Sequence, residues 1–296
     1  MTSAADLRTG KGHRDENFPV ASNLIHPRHR RVILAFYNFV RTADDVADNA
    51  KLGEREKIAL LDGLEATLLG SNNLEPVGVA LREALAPRRL SPRHAQDLLT
   101  AFRLDATKHR YRDWEDLIDY CAYSAMPVGR FVLDVHGEDR ATWMASDKLC
   151  AALQIINHLQ DCGADYRNLD RVYVPLDTFA AAGATVEQLG AQQAAPVLRT
   201  CLLALTNRTA PLLDQSAELR GQVRDLRLSL EISVIYAYAR RIIELLRTRY
   251  PLGEKVHLSK PQFAGIGLAA LISGLIRRVV PARNSARAPQ DARADP

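Results

Sequence analysis

Helical periodicity runs through almost the whole chain, and this feature restricts the fold more than any other. Apolar residues recur at intervals of three and four positions, whereas alternating Val/Ile/Thr runs bounded by Asn-Gly or Asp-Gly turns are absent from the sequence. The pattern therefore predicts an all-α protein. The predicted helices span residues 28–50, 54–70, 73–86, 92–107, 114–136, 142–165, 195–216, 219–249 and 261–279.

Prolines and a polar cap mark several breaks between these helices. Pro27 stands where the first helix can begin, because proline is favoured in the first helical turn. Pro87 and Pro92 separate the third helix from the fourth, with Ser91 as an N-cap. Pro127 interrupts a strongly helical stretch, and we expect it to kink the helix there.

The chain is predicted to form one domain with loose ends. No shift in composition marks a linker before residue 281, so the all-α domain is assigned to residues 14–280. Residues 1–13 are expected to be a flexible N-terminus. Residues 281–296 are rich in Ala, Pro and Arg without an apolar stripe, and are expected to be disordered.

Composition and charge exclude several classes of function. The 47% hydrophobic and 25% charged content is typical of a soluble globular protein, and the net charge is only +4 over 296 residues. Without a Lys/Arg run of five, we expect no nucleic-acid partner. The N-terminus lacks a signal peptide, which favours a cytoplasmic location. The four cysteines form no CxxC pair and are interpreted as small core residues.

Gln262–Ile276 is the longest stretch without a charge. It is too short and too rich in glycine for a membrane span, and our first interpretation is a packed core helix. Arg277 and Arg278 follow it directly, so the alternative is a helix face that rests on an anionic membrane. That alternative predicts peripheral contact with the inner face of the cell membrane.

Two pairs of acids interrupt helices that are otherwise apolar. Asp44 and Asp48 lie four residues apart in "VRTADDVADN", and Asp161 and Asp165 repeat this spacing in "LQDCGAD". Each pair shares one helix face, where like charges cost about 0.2–0.5 kcal/mol. A third such pair falls in the tail, where no helical pattern surrounds it, and is interpreted as chance. The first two pairs need a compensating partner or a metal ion.

The neighbours of these acids favour a phosphate and metal site. Tyr37 precedes the first pair by two turns and Arg41 by one turn, and Gln154 and Asn157 share the face of Asp161. Arginine can hold phosphate in a bidentate way, and carboxylates facing each other across a cleft suit Mg²⁺ bridged to a substrate phosphate. The alternative, left open at this point, is two solvated helix ends.

Four segments together resemble the squalene/phytoene synthase family of head-to-head prenyl diphosphate synthases. They are "FYNFVRTADDVAD", "YCAYSAMPVGRFVL", "LQIINHLQDCGAD" and "DRVYVP", in the family's order, and the resemblance covers about residues 14–280. It implies a single-domain, all-α isoprenoid synthase fold with a central prenyl-binding cavity, and Mg²⁺ as cofactor. Gln160 and Asp170 depart from the usual Arg and Gly of the phytoene and presqualene diphosphate synthases. With "ENFPVAS", they favour the bacterial branch that makes hydroxysqualene for hopanoids.

The resemblance also implies roles for individual residues. The metal ligands would be Asp44, Asp45, Asp48, Asn157, Asp161 and Asp165. The catalytic set would be Asp44, Asp48, Asp161, Asp165, Tyr37 and Arg41. The substrate would contact Asn17, Phe18, Tyr37, Arg41, Tyr123, Val128, Gln154 and Asn157. Aromatic residues of the cavity wall, among them Tyr120, Tyr123, Phe131, Phe36 and Phe39, would stabilise a carbocation. His158 is assigned a structural role.

The activity implied is conversion of presqualene diphosphate and water to hydroxysqualene and pyrophosphate. The alternative with the same fold is a condensing synthase that joins two prenyl diphosphates to presqualene diphosphate, squalene or phytoene. A catalytically inactive assembly subunit and a metal-free lipid-binding module are further alternatives, and the intact acid pairs argue against both. The resemblance further implies functional coupling to other enzymes of the squalene pathway.

Overall fold

The fold is given by a computed structural model, which describes residue 4, residues 24–191 and residues 195–279. The predicted flexible N-terminus, apart from residue 4, and the predicted tail lie outside the described residues. The described chain forms helices joined by short connections, without a strand, and an isolated bridge pairs Arg110 with Val172. The prediction of an all-α fold is confirmed.

Twelve α-helices make up the described part of the chain. They are α1 (Pro27–Ala47), α2 (Glu54–Leu68), α3 (Pro76–Leu85), α4 (Arg93–Thr107), α5 (Trp114–Ser124), α6 (Met126–His136), α7 (Trp143–Leu169), α8 (Leu176–Ala182), α9 (Pro196–Gln215), α10 (Leu219–Gln222), α11 (Leu226–Thr248) and α12 (Lys260–Val279).

Two predicted helices are divided in the structure, and one helix was not predicted. The helix expected over 114–136 is two helices, because the chain leaves helical geometry at Ala125 and Pro127 falls in the first turn of α6, where its missing N–H costs nothing. The helix expected over 219–249 is also divided, by the extended Val223. Helix α8 was not predicted, since its seven residues between Pro175 and Gly183 carry too short a pattern.

Two groups of buried apolar side chains hold the helices together. The first group contains residues of α1, α2, α3 and α4, such as Phe39, Leu64 and Leu98, together with Phe131 of α6. The second group contains residues of the helices from α5 through α11, such as Ile155 of α7. Long helices α1 and α7 therefore belong to different halves of the core, and the polar residues near their C-terminal ends meet between the halves.

Helix α12 contradicts our first interpretation of the uncharged stretch. It packs on α11, yet five of its large apolar side chains are exposed, so it is not a core helix. The physical reason is that its small residues, among them Gly267 and Gly274, provide the inner face, which lies directly against Tyr238 and Leu230. In the described part of the chain, no helix is both long and apolar enough to cross a membrane.

Candidate active site

A cavity of about 570 Å³ lies between α1, α4, α5, α6, α7 and α11. Apart from Glu231 of α11, its charged lining residues come from the C-terminal halves of α1, α4 and α7 and from the segment that follows α7. The rest of its wall is mostly apolar. Representative residues of the apolar part are Ile33, Phe36, Leu98, Phe131, Leu149 and Leu228. The site therefore combines a charged end with a long apolar chamber, as a prenyl diphosphate would require.

The first acid pair lines the charged end, as predicted. Tyr37, Arg41, Asp44 and Asp48 follow one another at spacings of four, three and four residues, so one face of α1 carries all four to the cavity. The Arg41 guanidinium donates to Asp44 and to Asp45, each at 2.9 Å. Helix periodicity thus places a cation against the acids, which reduces their mutual repulsion.

Asp45 differs from its neighbours and does not line the cavity. Its carboxylate is buried inside the first half of the core and bound to Arg41. The structure places the Asp45 side chain away from the cavity face on which Asp44 lies, because one residue along an α-helix turns the side chain by about 100°. Asp45 instead holds the Arg41 guanidinium in place.

The second acid pair lines the same cavity from α7. Gln154, Asn157, Asp161 and Asp165 all face it, as their common helix face predicted. Burial, followed by the negative charges of Asp161 and Asp48, raises the pKa of Asp165 to about 7. Because Asp48 at the end of α1 and Asp165 on α7 line the same cavity, the two acid pairs face each other across its charged end.

The charged end carries more negative charge than its own arginines neutralise. Burial raises the pKa of Asp44 to about 8, with Asp48 as the next cause, and Arg41 opposes both only in part. A further cation beside buried carboxyl groups would favour their charged form and lower these raised pKa values. The donor set of Asp44, Asp48, Asp161 and Asp165 is made of hard oxygen atoms, so these residues could hold a divalent ion such as Mg²⁺.

Arg171 is the main site residue that our sequence reasoning missed. Its side chain is buried, and its guanidinium donates to Asp48 Oδ1 at 2.5 Å and to the Ala47 carbonyl at 2.8 Å. Its Nε donates to the Asp105 carbonyl at 3.1 Å. Arg171 therefore joins the ends of α1 and α4 to the segment after α7. The "DRVYVP" segment was recognised, but the partner of its arginine lies 123 residues away.

Asp105 is a second missed acid, and its sequence did contain a signal. It lies on α4 seven residues after Leu98 and three after Phe102, both of which line the cavity. Tyr120 and Tyr173 each donate a hydroxyl to its carboxylate at 2.9 Å. Burial raises the pKa of Asp105 to about 6, although Arg171 counteracts this effect. An acid on the apolar face of an amphipathic helix is itself a pointer to a site.

His158 lies at the charged end of the cavity, beside Tyr120 and Tyr173. Its ring stacks on Tyr173 with centroids 3.5 Å apart, and one ring nitrogen lies 3.1 Å from the Gln154 amide nitrogen. Burial lowers the pKa of His158 to about 3, and Arg171 adds to the effect. A neutral, stacked ring agrees with the structural role that we assigned to it, although it also borders the cavity.

The other predicted contacts divide into three groups. Val128, Tyr120, Phe36 and Phe131 line the cavity. The rings of Phe36 and Phe131 stack with their centroids 3.8 Å apart. Tyr123 does not line it and is 39% exposed, because Tyr120 and Ser124 form the cavity face of α5. Phe39 is fully buried in the core instead. Asn17 and Phe18 lie outside the described residues.

Two departures from the family pattern have a visible structural setting. Gln160 points away from the cavity, and its amide donates to the Val256 carbonyl and lies 3.0 Å from His257 Nδ1. Asp170 ends α7 in the left-handed conformation with φ of 50°, where glycine is usual and Asp is tolerated. Its carboxylate pairs with Arg110 at 2.5 Å.

Several known proteins resemble this chain in sequence or structure over most of its length. A hydroxysqualene synthase of Rhodopseudomonas palustris is 60% identical over 94% of this chain and 95% of that protein, and one of Zymomonas mobilis is 46% identical over 90% and 91%. The crystal structure of the squalene synthase HpnC from Alicyclobacillus acidocaldarius is 33% identical, with a TM-score of 0.69 over 77% of this chain and 86% of that one. The family description "Squalene/phytoene synthase" matches residues 12–262. With its cavity and two facing acid pairs, the chain therefore belongs to the squalene/phytoene synthase family.

Proposed function

We propose that this enzyme is a hydroxysqualene synthase, which converts presqualene diphosphate and water to hydroxysqualene and pyrophosphate. The proposal depends on one observation, that a single cavity joins two carboxylate pairs to a mostly apolar chamber. The hydroxysqualene synthases that are 46–60% identical over at least nine tenths of this chain support this choice of product.

The first chemical step is ionisation of the substrate at the charged end. The carbon–oxygen bond to the diphosphate breaks, and pyrophosphate leaves with the electron pair. Asp44, Asp48, Asp161 and Asp165 would hold Mg²⁺ here, and when bound this ion supplies positive charge that stabilises the leaving group. Arg171 fixes the position of Asp48 through its 2.5 Å contact, and Asp45 fixes Arg41.

The apolar chamber then holds the carbocation. Side chains such as Ile33, Leu98 and Leu149 exclude bulk water, and the stacked rings of Phe36 and Phe131 can stabilise a passing positive charge by about 0.5–2 kcal/mol. The cyclopropylcarbinyl cation rearranges to an allylic cation in this environment. Without such a chamber, water would capture the cation at the first carbon it met.

Water ends the reaction by forming a carbon–oxygen bond to the allylic cation, and its proton passes to the pyrophosphate. We assign the placement of this water to Asn157 and Gln154, which lie one turn and two turns from Asp161 at the edge of the charged end. The Gln154 amide is oriented by His158, whose ring stays neutral at the pH of any ordinary assay. A neutral ring does not repel the carbocation.

The test is turnover of presqualene diphosphate in ¹⁸O-water, with Mg²⁺ and without a reductant. Labelled hydroxysqualene, with one ¹⁸O atom per molecule, is the expected product. Squalene formed only when NADPH is present would overturn the proposal. So would brisk condensation of farnesyl diphosphate without turnover of presqualene diphosphate, which would identify a condensing synthase of the same family.

A further inference from the structure

Helix α12 has its small residues inside and its large apolar residues outside. Gly267, Ala270 and Gly274 are buried against α11, where a side chain at Gly267 would meet the Tyr238 hydroxyl. Leu268 and Ile272 are 62% and 50% exposed. A helix of a soluble protein normally turns its large apolar residues inward, so this reversed arrangement needs a partner outside the described chain.

The exposed side chains form one continuous stripe. Leu268, Ile272, Leu275 and Ile276 fall within an arc of about 100° on the helix. Pro261, Ala264 and Gly265 extend this face towards the start of α12, and all three are exposed. The stripe carries no charged residue, whereas Lys260 stands at one end and Arg277 and Arg278 at the other.

A basic cavity of about 290 Å³, which we name the arginine pocket, lies on the flank of the stripe. Arg220, Arg240, Arg241 and Arg277 line it, together with the hydroxyl residues Ser233 and Ser273. The only carboxylate among its lining residues, Glu244, binds Arg241 at 2.8 Å. Ala270 and Gly274 also line the pocket, which therefore opens between α12 and α11, and its nearest residues, Ser273 and Arg277, each follow a stripe residue by one position, or about 100° of helical rotation.

The arginine pocket holds an excess of positive charge. Arg220 lies over the Tyr236 ring, with the guanidinium carbon 4.0 Å from the ring centre. Burial lowers the pKa of Arg220, and the charges of Arg277 and Arg240 lower it further. Clustered guanidinium groups with a single carboxylate favour a bound anion, and arginine suits phosphate best.

We propose that α12 lies on an anionic phospholipid surface, with its apolar stripe among the acyl chains and a lipid phosphate in the arginine pocket. Arg277 borders the stripe and lines the pocket, so the apolar surface passes into the basic one as the acyl layer of a membrane passes into the phosphate layer. A second copy of this chain fits less well, because two arginine pockets would then approach each other. The helix rests on the membrane, since it is not a candidate to cross one.

The test is flotation of the full-length protein with vesicles. Vesicles of phosphatidylglycerol and phosphatidylcholine in equal parts should carry the protein upward at low salt, and high salt or phosphatidylcholine alone should weaken binding. The double variant Leu268→Ser/Ile272→Ser should bind these vesicles about tenfold more weakly or worse, because two apolar side chains no longer enter the acyl layer. Arg277→Ala should weaken binding about fivefold through loss of one charge.

Matched controls use exposed residues of the same type elsewhere. Leu74→Ser removes a side chain that is 76% exposed outside α12, and Arg55→Ala removes an exposed charge from α2. Both should bind vesicles like the unaltered protein, and all variants should keep their helix content by circular dichroism. Failure of the unaltered protein to float, or equal flotation of the double variant, would overturn the proposal.

Two further measurements distinguish the other occupants. Sedimentation velocity would reveal a dimer that Leu268→Ser/Ile272→Ser dissociates, and such a dimer without flotation would assign the stripe to a second copy. A rise in melting temperature with inorganic phosphate that Arg277→Ala abolishes, again without flotation, would assign the pocket to a free anion. Either result contradicts the membrane proposal, and neither depends on the identity of the reaction product.

Discussion

Arg171 Nη1 lies 2.5 Å from Asp48 Oδ1 and joins two parts of the site that are 123 residues apart in sequence. The arginine is buried, whereas the aspartate is partly exposed to the cavity. Because the same guanidinium also binds the Ala47 carbonyl, it holds the last turn of α1 as well as the carboxylate. The geometry of the first acid pair thus depends on a residue from a distant segment of the chain.

Arg171→Ala should lower the free energy of unfolding by about 3 kcal/mol, because it leaves partners of a buried charge without a donor. Urea unfolding followed by circular dichroism measures this change. Arg110→Ala is the matched control, since Arg110 pairs with the exposed Asp170, and surface pairs contribute less than about 1 kcal/mol. Equal losses in the two variants would contradict the structural role of Arg171.

Asp44→Asn should reduce turnover at least about a hundredfold without reducing stability in the absence of metal. The reason is that the charged form of Asp44 is disfavoured by burial and by Asp48, so a neutral amide removes a repulsion. Asp161→Asn should likewise reduce turnover severely while helix content stays intact. Steady-state kinetics and thermal unfolding in chelator give the two quantities.

Asp45→Asn provides the contrast on the neighbouring residue. Asp45 is buried and bound to Arg41 outside the cavity lining, so its loss should lower stability and reduce turnover less than Asp44→Asn does. If Asp44→Asn lost as much stability as Asp45→Asn, or kept near-normal turnover, the assignment of Asp44 to a metal-holding site would be wrong.

Magnesium affinity should rise with pH up to about pH 8. In the metal-free site the pKa values of Asp165 and Asp44 are raised to about 7 and about 8, so each carboxyl must release a proton before it can hold the ion. The sign follows from competition between proton and metal. At pH values below the carboxyl pKa, the dissociation constant of Mg²⁺ should fall by up to about tenfold per unit of rising pH for each proton that is released.

Calorimetric titration with Mg²⁺ at several pH values in buffers of different ionisation enthalpy measures both the affinity and the protons released. The same shifts predict that the metal-free protein loses stability as pH rises from about 4, the pKa of an aspartate in the unfolded chain, to about 8, because the folded carboxyl groups keep protons that the unfolded chain has already released. Proton release that does not change between pH 6 and pH 9 would contradict the raised pKa values.

Local patterns in the sequence predicted the parts of the site that lie on single helices. The geometry of an α-helix is sufficient to place Tyr37, Arg41, Asp44 and Asp48 on one face of α1. The same geometry places the second acid pair on one face of α7. Arg171 could not be placed, because it follows α7 in a non-helical segment and its contact depends on how α1 packs. Glu231, buried in the cavity wall beside Leu228 and Ile232, was passed over although its helix face is apolar.

The fold shows the same division between local and non-local information. Pro127 correctly marked an interruption, yet a proline in the first turn of a new helix and a kink in one long helix have the same sequence signature. For α12, composition identified an apolar helix but not its orientation. The small residues that pack on α11 decide which face is outside, and that packing depends on Tyr238 and Leu230 in another helix.

Cys150 offers a chemical test of the cavity itself. Cys121, Cys162 and Cys201 are buried core residues, as predicted, whereas Cys150 also borders the cavity beside Gly129. Burial raises the pKa of Cys150 to about 11 and that of Cys121 to about 12, so both thiols should react slowly at pH 8. Only Cys150 should be reached from the apolar chamber without unfolding.

We therefore expect a small maleimide to label Cys150 first, and a thiolo-diphosphate analogue of farnesyl diphosphate to slow this labelling about tenfold by filling the chamber. Peptide mass spectrometry follows each thiol separately, and Cys121 in the same sample is the internal control. Labelling of Cys150 that ignores the prenyl ligand would place the ligand elsewhere. Equal protection of Cys121 would instead indicate that the ligand stabilises the whole fold, because Cys121 reacts only when the core opens.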